Sequence, residues 1–334
     1  MSSLKTPNLA RFYLYTVFKN GLFHVPVLVV YLTEVVSDPK AIGMLLALKT
    51  IANLIFEITT GYVADRFGRK TSVMIGFSLV TLSLILFVSS VNLLWLGCAQ
   101  VLFGIAETFD SGASTALLYD NLKHFDTEHT FEGALRNMSL LGSCALFFSF
   151  VVGGYVYGFG HRVPFILAAV CVLISAFVIF TVKELPFASK DSEISGSNSL
   201  NSASIRLLLK QPRALWTFLF TSTAVGAIFY SCYLFLYPLL MKQAGLEERY
   251  FGVAFSVAVL AFGLGGKSSN FVKSRVALWS GIPFLAAAVA IAYFLIGSLW
   301  ILIGGILLFR LLWGAYYIYA QIELNRLIKS STMR

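Results

Sequence analysis

The stretch GYVADRFGRK, residues 61–70, places four charges in the six positions from Asp65 to Lys70. Only 12% of the 334 residues are charged, and the sequence on either side of this stretch is almost wholly apolar. An acid favours a helix amino terminus, and bases hold a loop on the cytoplasmic side of a membrane. Gly61 and Gly68 are predicted to let neighbouring backbones approach closely. The stretch is therefore predicted to be a short, structured turn between two membrane helices.

The composition is that of a membrane protein. Hydrophobic residues make up 58% of the chain, and its mean hydropathy is +0.81. Soluble domains carry roughly twice this fraction of charge, and so little polar surface cannot cover a core of this size. Lipid is therefore the expected solvent for much of the chain. The net charge of +9 does not indicate nucleic-acid binding, because the bases form no single patch interleaved with aromatics.

Apolar stretches long enough to cross a bilayer recur along the whole chain. A membrane-spanning helix needs about 20 residues. About ten stretches approach that length, at 11–32, 42–63, 71–89, 93–117, 138–157, 163–182, 214–240, 250–266, 277–296 and 299–322. The strands of a membrane barrel are shorter and alternate in polarity, which these stretches do not. The predicted fold class is therefore an all-α polytopic membrane protein.

The basic residues predict the orientation of these spans. With a cytoplasmic amino terminus, 18 of the 25 Lys and Arg residues face inward, four face outward and three lie within spans. This distribution follows the positive-inside rule. A polar, serine-rich segment divides the spans. We therefore predict an amino-terminal six-helix bundle at 1–183, a cytoplasmic central loop at 184–212 and a partial bundle of about four helices at 213–334.

The spacing of the opening stretch resembles the signature loop between the second and third helices of the major facilitator superfamily. Six residues carry the match: Gly61, Asp65, Arg66, Gly68, Arg69 and Lys70. The resemblance implies two six-helix bundles that move a solute by alternating access. It also implies that Asp65 meets the amino end of an eleventh helix. Asp120, at the cytoplasmic end of the fourth span, is well placed to pair with Arg66 or Arg69, so the charges are interpreted as a gate latch.

The chain departs from the family pattern in three places. Gln100 and Phe103 stand where the fourth helix often carries Arg and Gln, which weakens the case for that form of proton coupling. The fifth helix keeps Gly153 and Gly154 of the antiporter motif but lacks its proline, although its small residues still permit tight packing. The family generally has twelve helices, whereas about ten are predicted here. We therefore expect a truncated chain that lacks the last two helices.

Three acids and three bases lie inside the predicted spans, and their charges cancel, which indicates pairing. A charge in lipid costs about 2.5–3.5 kcal/mol on insertion scales, so these side chains are expected to face the interior. They are Lys19, Lys49, Glu57, Glu107, Asp110 and Arg310. Helical spacing gives two polar stripes, one of Lys49, Asn53 and Glu57 and one of Glu107, Asp110, Ser111 and Ser114. The stripes are predicted to line a shared aqueous cavity, with snorkelling or structural pairing as the alternative.

Glu107 and Asp110 lie close together on one helix face and repel each other when both are ionised. Repulsion and burial favour a proton on at least one of the two carboxylates. The pair is therefore hypothesised to be a protonation site, with Lys19 or Arg310 as the counter-charge. A permanent ion pair that locks helices together is the alternative hypothesis.

Aromatic side chains collect in the seventh and tenth spans. Tyr233 and Tyr237 share one face of the seventh span, and Arg310, Trp313 and Tyr317 share one face of the tenth. These aromatics are candidate substrate contacts. Stripes of this kind are more often packing residues or interface anchors, which is the alternative here.

The predicted function is secondary transport of a small solute across the plasma membrane by alternating access. Protons are a candidate coupling ion, and the direction of transport is open. The sequence has no nucleophile elbow, phosphate-binding loop or zinc-ligand spacing, so no enzymatic activity, cofactor or metal is expected. The expected partners are a small-molecule substrate and the lipid bilayer. The alternatives are a transport-incompetent remnant that only binds, and a five-plus-five metabolite transporter, against which the six-helix block counts.

Overall fold

The computed structural model describes residues 8–89, 92–110, 112–182, 232–267 and 298–332. Every regular element in these ranges is helical, as predicted. The α-helices are α1 (Leu9–Lys19), α2 (Leu28–Val35), α3 (Pro39–Phe67), α4 (Arg69–Ser89), α5 (Leu93–Asp110), α6 (Ala113–His124), α7 (Phe131–Tyr157), α8 (Val163–Thr181), α9 (Tyr237–Gln243), α10 (Phe251–Lys267) and α11 (Leu299–Thr332). Short 3-10 turns precede α2, α7 and α10, and a π-helical turn precedes α9.

Six helices among the described residues are long and apolar enough to cross a membrane. They are Pro39–Glu57, Arg69–Ser89, Leu93–His124, Gly133–Tyr157, Val163–Thr181 and Glu248–Gly265, and they match the second to sixth and the eighth predicted spans. The shorter apolar helices Val25–Val35 and Trp300–Tyr316 overlap the first and tenth. The predicted span 277–296 lies outside the described residues, as does most of the span 214–240.

The first predicted span is not one continuous helix. α1 ends at Lys19, where the Asn20 side-chain amide donates to a carbonyl oxygen one turn earlier at 2.8 Å. The chain becomes helical again in a turn that contains Pro26, which has no N–H to donate. A Cβ on Gly21 would lie 2.6 Å from a side chain of α8. The expectation of a single helix is wrong, because a count of apolar residues does not register residues that end helices.

The fourth predicted span is divided in a similar way. α5 ends at Asp110, and α6 begins at Ala113 after Gly112, whose φ is 75°. Glycine adopts this positive φ without the strain that a side chain would bring. The helical segment continues to His124, beyond the predicted end of the span at residue 117. Asp110 therefore lies at a helix end within the membrane segment.

The chain forms two compact units. One consists of Met1–Pro186 with Leu246–Ser256, and the other of Phe187–Gly245 with Val257–Arg334. The division between the units falls within α10, so its first residues group with the amino-terminal helices. The boundaries 1–183, 184–212 and 213–334 remain predictions, and the central loop lies outside the described residues.

The first unit is a bundle of packed helices with very close backbone contacts at two glycines. α3 lies against α5, α5 against α4, α4 against α8, α8 against α1 and α1 against α7. A Cβ on Gly104 would lie 2.3 Å from the Lys49 carbonyl oxygen, and one on Gly153 would lie 2.0 Å from the Phe23 carbonyl oxygen. Small residues allow membrane helices to approach this closely. The tight packing expected of Gly153 is therefore confirmed.

Candidate functional site

The turn between α3 and α4 contains the signature residues. Gly68 ends α3 with φ 97° and ψ 144°, a backbone conformation that is essentially restricted to glycine. Gly61 is an exposed helical residue, and a Cβ there would meet no atom of the described chain within 4 Å. Gly61 therefore has no close backbone neighbour among the described residues, and its close approach stays a prediction. Of these two glycines, Gly68 is the one whose backbone conformation requires glycine.

Replacing Gly68 with alanine is expected to destabilise the protein. The strained backbone costs about 1–3 kcal/mol for a residue with a Cβ. Thermal unfolding of the purified protein in detergent measures the loss. Gly61→Ala is the matched control, because alanine favours helix more than glycine does and its Cβ points into open space. Equal losses of unfolding temperature in the two variants would contradict the prediction.

The arginines of the turn have different partners. Arg66 donates to the Tyr62 hydroxyl at 2.8 Å, within α3. Arg69 forms an ion pair with Asp120 of α6 and also donates to the Ala116 carbonyl oxygen at 3.0 Å. Asp120 was expected to pair with one of these two arginines, and the partner is Arg69. The first residue of α4 is thus joined to α6.

Lys70 joins the turn to the end of α8. Its Nζ donates to the Val182 carbonyl oxygen at 2.9 Å and lies 5.3 Å from the centre of the Phe180 ring. A cation at a helix carboxy terminus offsets the partial negative charge of the last carbonyl groups. Asp65 is exposed, and the contact that the resemblance implies for it lies outside the described residues. Three segments predicted to be cytoplasmic therefore meet at this turn.

Asp110 is the centre of a buried polar cluster. The Tyr15 hydroxyl donates to Asp110 Oδ1 at 2.5 Å, and Lys19 forms an ion pair with Oδ2. Tyr15 is buried, while the side chains of Asp110 and Lys19 are 12% and 38% exposed. α1 therefore supplies both a hydrogen-bond donor and a counter-charge to the acid at the end of α5. Lys19 is one of the two counter-charges that the sequence suggested.

Glu107, one turn earlier on α5, contacts α3 instead. Lys49 Nζ lies 2.9 Å from Glu107 Oε1, and Asn53 Nδ2 lies 3.4 Å from Oε2. Lys49 Nζ also lies 4.8 Å from the centre of the Phe103 ring, a distance typical of a cation–π contact. Glu57, further along α3, is exposed. Each of the two neighbouring acids thus has its own base on a different helix.

An apolar groove lies along the two helices that carry this second ion pair. It lies between α3 and α5, has a volume of about 810 Å³ and is lined by side chains that include Met44, Leu48, Leu94 and Val101. Leu48 directly precedes Lys49 along α3. The apolar groove and the ion pair are therefore built on the same two helices.

In the second unit, Arg310 lies among aromatic rings. Its guanidinium carbon lies 4.1 Å from the centre of the Tyr233 ring and 4.9 Å from the centre of the Phe262 ring. Tyr237 is buried, and Trp313 stacks on a neighbouring tyrosine with ring centroids 5.5 Å apart. The Tyr317 side chain lies outside the described part of the structure. The role of these aromatics as substrate contacts remains a prediction.

The sequence reasoning missed a cluster on the opposite side of the first unit's spans. Glu34 at the end of α2, His161 in the turn before α8 and Glu248 in the 3-10 turn before α10 each place a potential ligand atom within 4.8 Å of the others. All three lie in segments predicted to face outward, which is the one signal that could have grouped them. No motif spacing links them, because they come from distant parts of the chain.

The sequence is similar to those of known membrane proteins. The profile of the Major Facilitator Superfamily matches residues 12–331. Multidrug resistance protein 1 of Bacillus subtilis (strain 168) is 29% identical over 176 residues, which cover 52% of this chain and 44% of that protein. The vesicular acetylcholine transporter of Tetronarce californica is 30% identical over 184 residues, which cover 53% of this chain and 33% of that protein. The chain thus spans less than half the length of these two curated relatives.

The fold is similar to that of solved structures. The crystal structure of the nucleoside transporter NupG matches with a TM-score of 0.73 and 13% sequence identity. The match covers 95% of this chain and 80% of that one. At this identity the likeness concerns the fold alone, and it agrees with the predicted class of helical membrane protein.

Proposed function

Because the chain belongs to the major facilitator superfamily, a family of multi-pass membrane transporters, we propose that it moves a small amphiphilic solute across the plasma membrane by alternating access. The observation that carries the proposal is the Lys49–Glu107 ion pair, formed between the two helices that also line the apolar groove. Charges in membrane spans are expensive and are most often kept for function. The ion pair suits the polar end of such a solute, and the groove suits its apolar body.

Organic cations are the first substrate class to test. Glu107 supplies a carboxylate whose side chain is 41% exposed, so a cationic solute could compete with Lys49 for it. The names of the two curated relatives, a multidrug resistance protein and an acetylcholine transporter, support this choice. Glu107 would then exchange one cationic partner for another, while Lys49 would keep its contact with the Phe103 ring.

Protons are the proposed coupling ion, and Asp110 is their proposed site. The ionised Asp110 carboxylate accepts from Tyr15 and balances Lys19. Protonation of Asp110 removes the charge that holds Lys19, so one proton alters the contact between α1 and α5. A change of charge that alters a helix contact is the local event that a coupled transporter needs.

The turn at Gly68–Lys70 is the proposed cytoplasmic latch. Its contacts with Asp120 and with the Val182 carbonyl oxygen support a role in fixing the cytoplasmic ends of α4, α6 and α8. This assignment requires a cytoplasmic amino terminus, which the distribution of Lys and Arg predicts.

Transport by the full chain in proteoliposomes tests the proposal. We expect an imposed pH gradient to drive accumulation of ethidium, a flat aromatic cation. Glu107→Gln should reduce the rate by about tenfold, because it leaves Lys49 without its carboxylate. Asp126→Asn, a substitution in an exposed loop, is the matched control and should behave as wild type.

Three other outcomes would count against parts of the proposal. Saturable ethidium binding without gradient-driven movement would favour the binding-only alternative. Full activity in Glu107→Gln would remove the ion pair from the substrate site. Transport of a neutral solute in preference to ethidium would reject organic cations as the substrate class.

A further inference from the structure

We propose that Glu34, His161 and Glu248 form a binding site for a divalent cation, with zinc as the best fit. Their potential ligand atoms lie within 4.8 Å of one another. Bond lengths of about 2.0–2.2 Å place the ligand atoms of a tetrahedral zinc ion roughly 3.3–3.6 Å apart. Small side-chain rotations are therefore enough to bring the three groups onto one ion.

The donor set determines which ion fits. Two carboxylates and a neutral imidazole carry two negative charges, which balance a divalent cation. An imidazole ligand favours zinc and its neighbours among the transition metals, whereas magnesium and calcium prefer oxygen ligands alone. Three protein ligands leave a fourth position for water, as in many zinc sites with an open position. The nearby base Arg249 is itself paired with Glu247, at 2.5 Å.

The existing contact between Glu34 and His161 shows how an ion could enter. His161 Nδ1 lies 2.6 Å from Glu34 Oε2, a distance that requires a proton between them. A metal ion binds deprotonated ligands, so it takes the place of that proton and separates the two atoms slightly. Binding then releases that proton. Because both side chains are partly exposed, the proton can pass directly to solvent.

Tyr157 is an independent observation in favour of the site, because it orients two of the three ligands from outside the cluster. This tyrosine is fully buried, and its hydroxyl donates to Glu34 Oε1 at 2.8 Å, which leaves Oε2 directed at His161. Its ring also stacks on the imidazole, with centroids 4.7 Å apart and an angle of 10° between the planes. Metal ligands commonly have outer partners that fix their orientation in this way.

A bound ion would join three segments of the first unit. Glu34 ends α2, His161 precedes α8 and Glu248 precedes α10. The proposed site therefore stabilises the contact of the turn before α10 with the amino-terminal helices. The effect of the ion is expected to appear as stability, which can be measured without a transport assay.

Thermal unfolding with added zinc tests the site. The full chain is purified in detergent, treated with EDTA and titrated with ZnCl₂. We expect a saturable rise in unfolding temperature that is absent with MgCl₂ at the same concentrations. Glu34→Gln and Glu248→Gln should each weaken zinc binding by about tenfold or more. His129→Ala removes an exposed histidine from another loop and should keep the wild-type response.

Two results would overturn the proposal. One is an equal zinc response in wild type, Glu34→Gln and Glu248→Gln. The other is X-ray absorption of the zinc-loaded protein that shows sulfur at about 2.3 Å, since that distance assigns the ion to cysteine. Nitrogen and oxygen ligands at about 2.0–2.2 Å support the site. Glu248→Gln leaves the Tyr157–Glu34 hydrogen bond in place, so it remains informative if Glu34→Gln does not fold.

Discussion

Replacing Asp110 with asparagine is expected to abolish proton-driven transport. Asparagine keeps the size of the side chain and can still accept from Tyr15, but it cannot be ionised and no longer balances Lys19. Breaking a fully buried ion pair costs about 3–5 kcal/mol. Because the Lys19 side chain is 38% exposed, we expect a smaller loss of about 1–3 kcal/mol. The variant should therefore fold but lose its coupling.

Two transport assays separate the coupling role of Asp110 from a structural role. A proton site predicts that Asp110→Asn loses accumulation driven by a pH gradient but still exchanges solute across the membrane without a gradient. A helix lock predicts that both activities fall together with the unfolding temperature. The double variant Lys19→Met/Asp110→Asn should recover stability and not coupling, which a double-mutant cycle can measure.

The controls for this experiment come from the same chain. Asp126→Asn changes an exposed carboxylate and should leave both assays unaffected. Glu107→Gln tests the other acid of the pair. Wild-type proton dependence in both Asp110→Asn and Glu107→Gln would eliminate the protonation-site hypothesis.

Within the first unit, Gly104→Ala is expected to disrupt the α3–α5 contact more than the addition of a methyl group at any other position there. The added Cβ would lie 2.3 Å from the Lys49 carbonyl oxygen and 3.1 Å from Ala52 Cβ. The obstructing oxygen belongs to a helix backbone. Rotation of a side chain therefore cannot relieve the clash, and α3 and α5 must move apart. Overpacking of this kind costs about 1–3 kcal/mol, and it also displaces the residue that holds Glu107.

Unfolding temperature and ethidium transport measure the two consequences of Gly104→Ala. Both should fall together, because the same contact supports packing and the ion pair. Gly133→Ala is the matched control, since a Cβ on this helical residue meets no atom of the described chain within 4 Å. The steric account fails if the two alanine variants unfold at the same temperature.

The helices were predictable wherever apolar length alone decides the structure. The second to sixth spans and the eighth match helices of the first unit and α10. The break in the first span was not predictable, because membrane helices often tolerate Asn, Gly and Pro when neighbours satisfy the backbone. At Gly21, where the first span is interrupted, the chain packs closely against α8. The local sequence alone does not predict this contact.

The candidate site was predictable in its residue types and only partly in the contacts between them. Charge balance indicated that Lys49, Glu107 and Asp110 would be paired, and the helical period placed them on two polar stripes. They could not decide between Arg66 and Arg69 for Asp120. Arg69 lies on α4, which faces α6, whereas Arg66 extends along α3. Which arginine meets Asp120 depends on how whole helices are rotated about their axes. The residue pattern of one helix carries no information about that rotation.

The hydrogen bond from Lys70 to the Val182 carbonyl oxygen has a consequence for topology mapping. Scans that neutralise cytoplasmic lysines assume that each cation reports only on how the nascent chain was inserted. Here the same ammonium group also secures the finished bundle at α8. Loss of a topology reporter's signal after Lys70→Ala therefore has two explanations. The protein was inserted in the wrong orientation, or it was inserted correctly and then degraded. Lys70→Arg, which keeps the charge during synthesis, is the variant that distinguishes misinsertion from later loss.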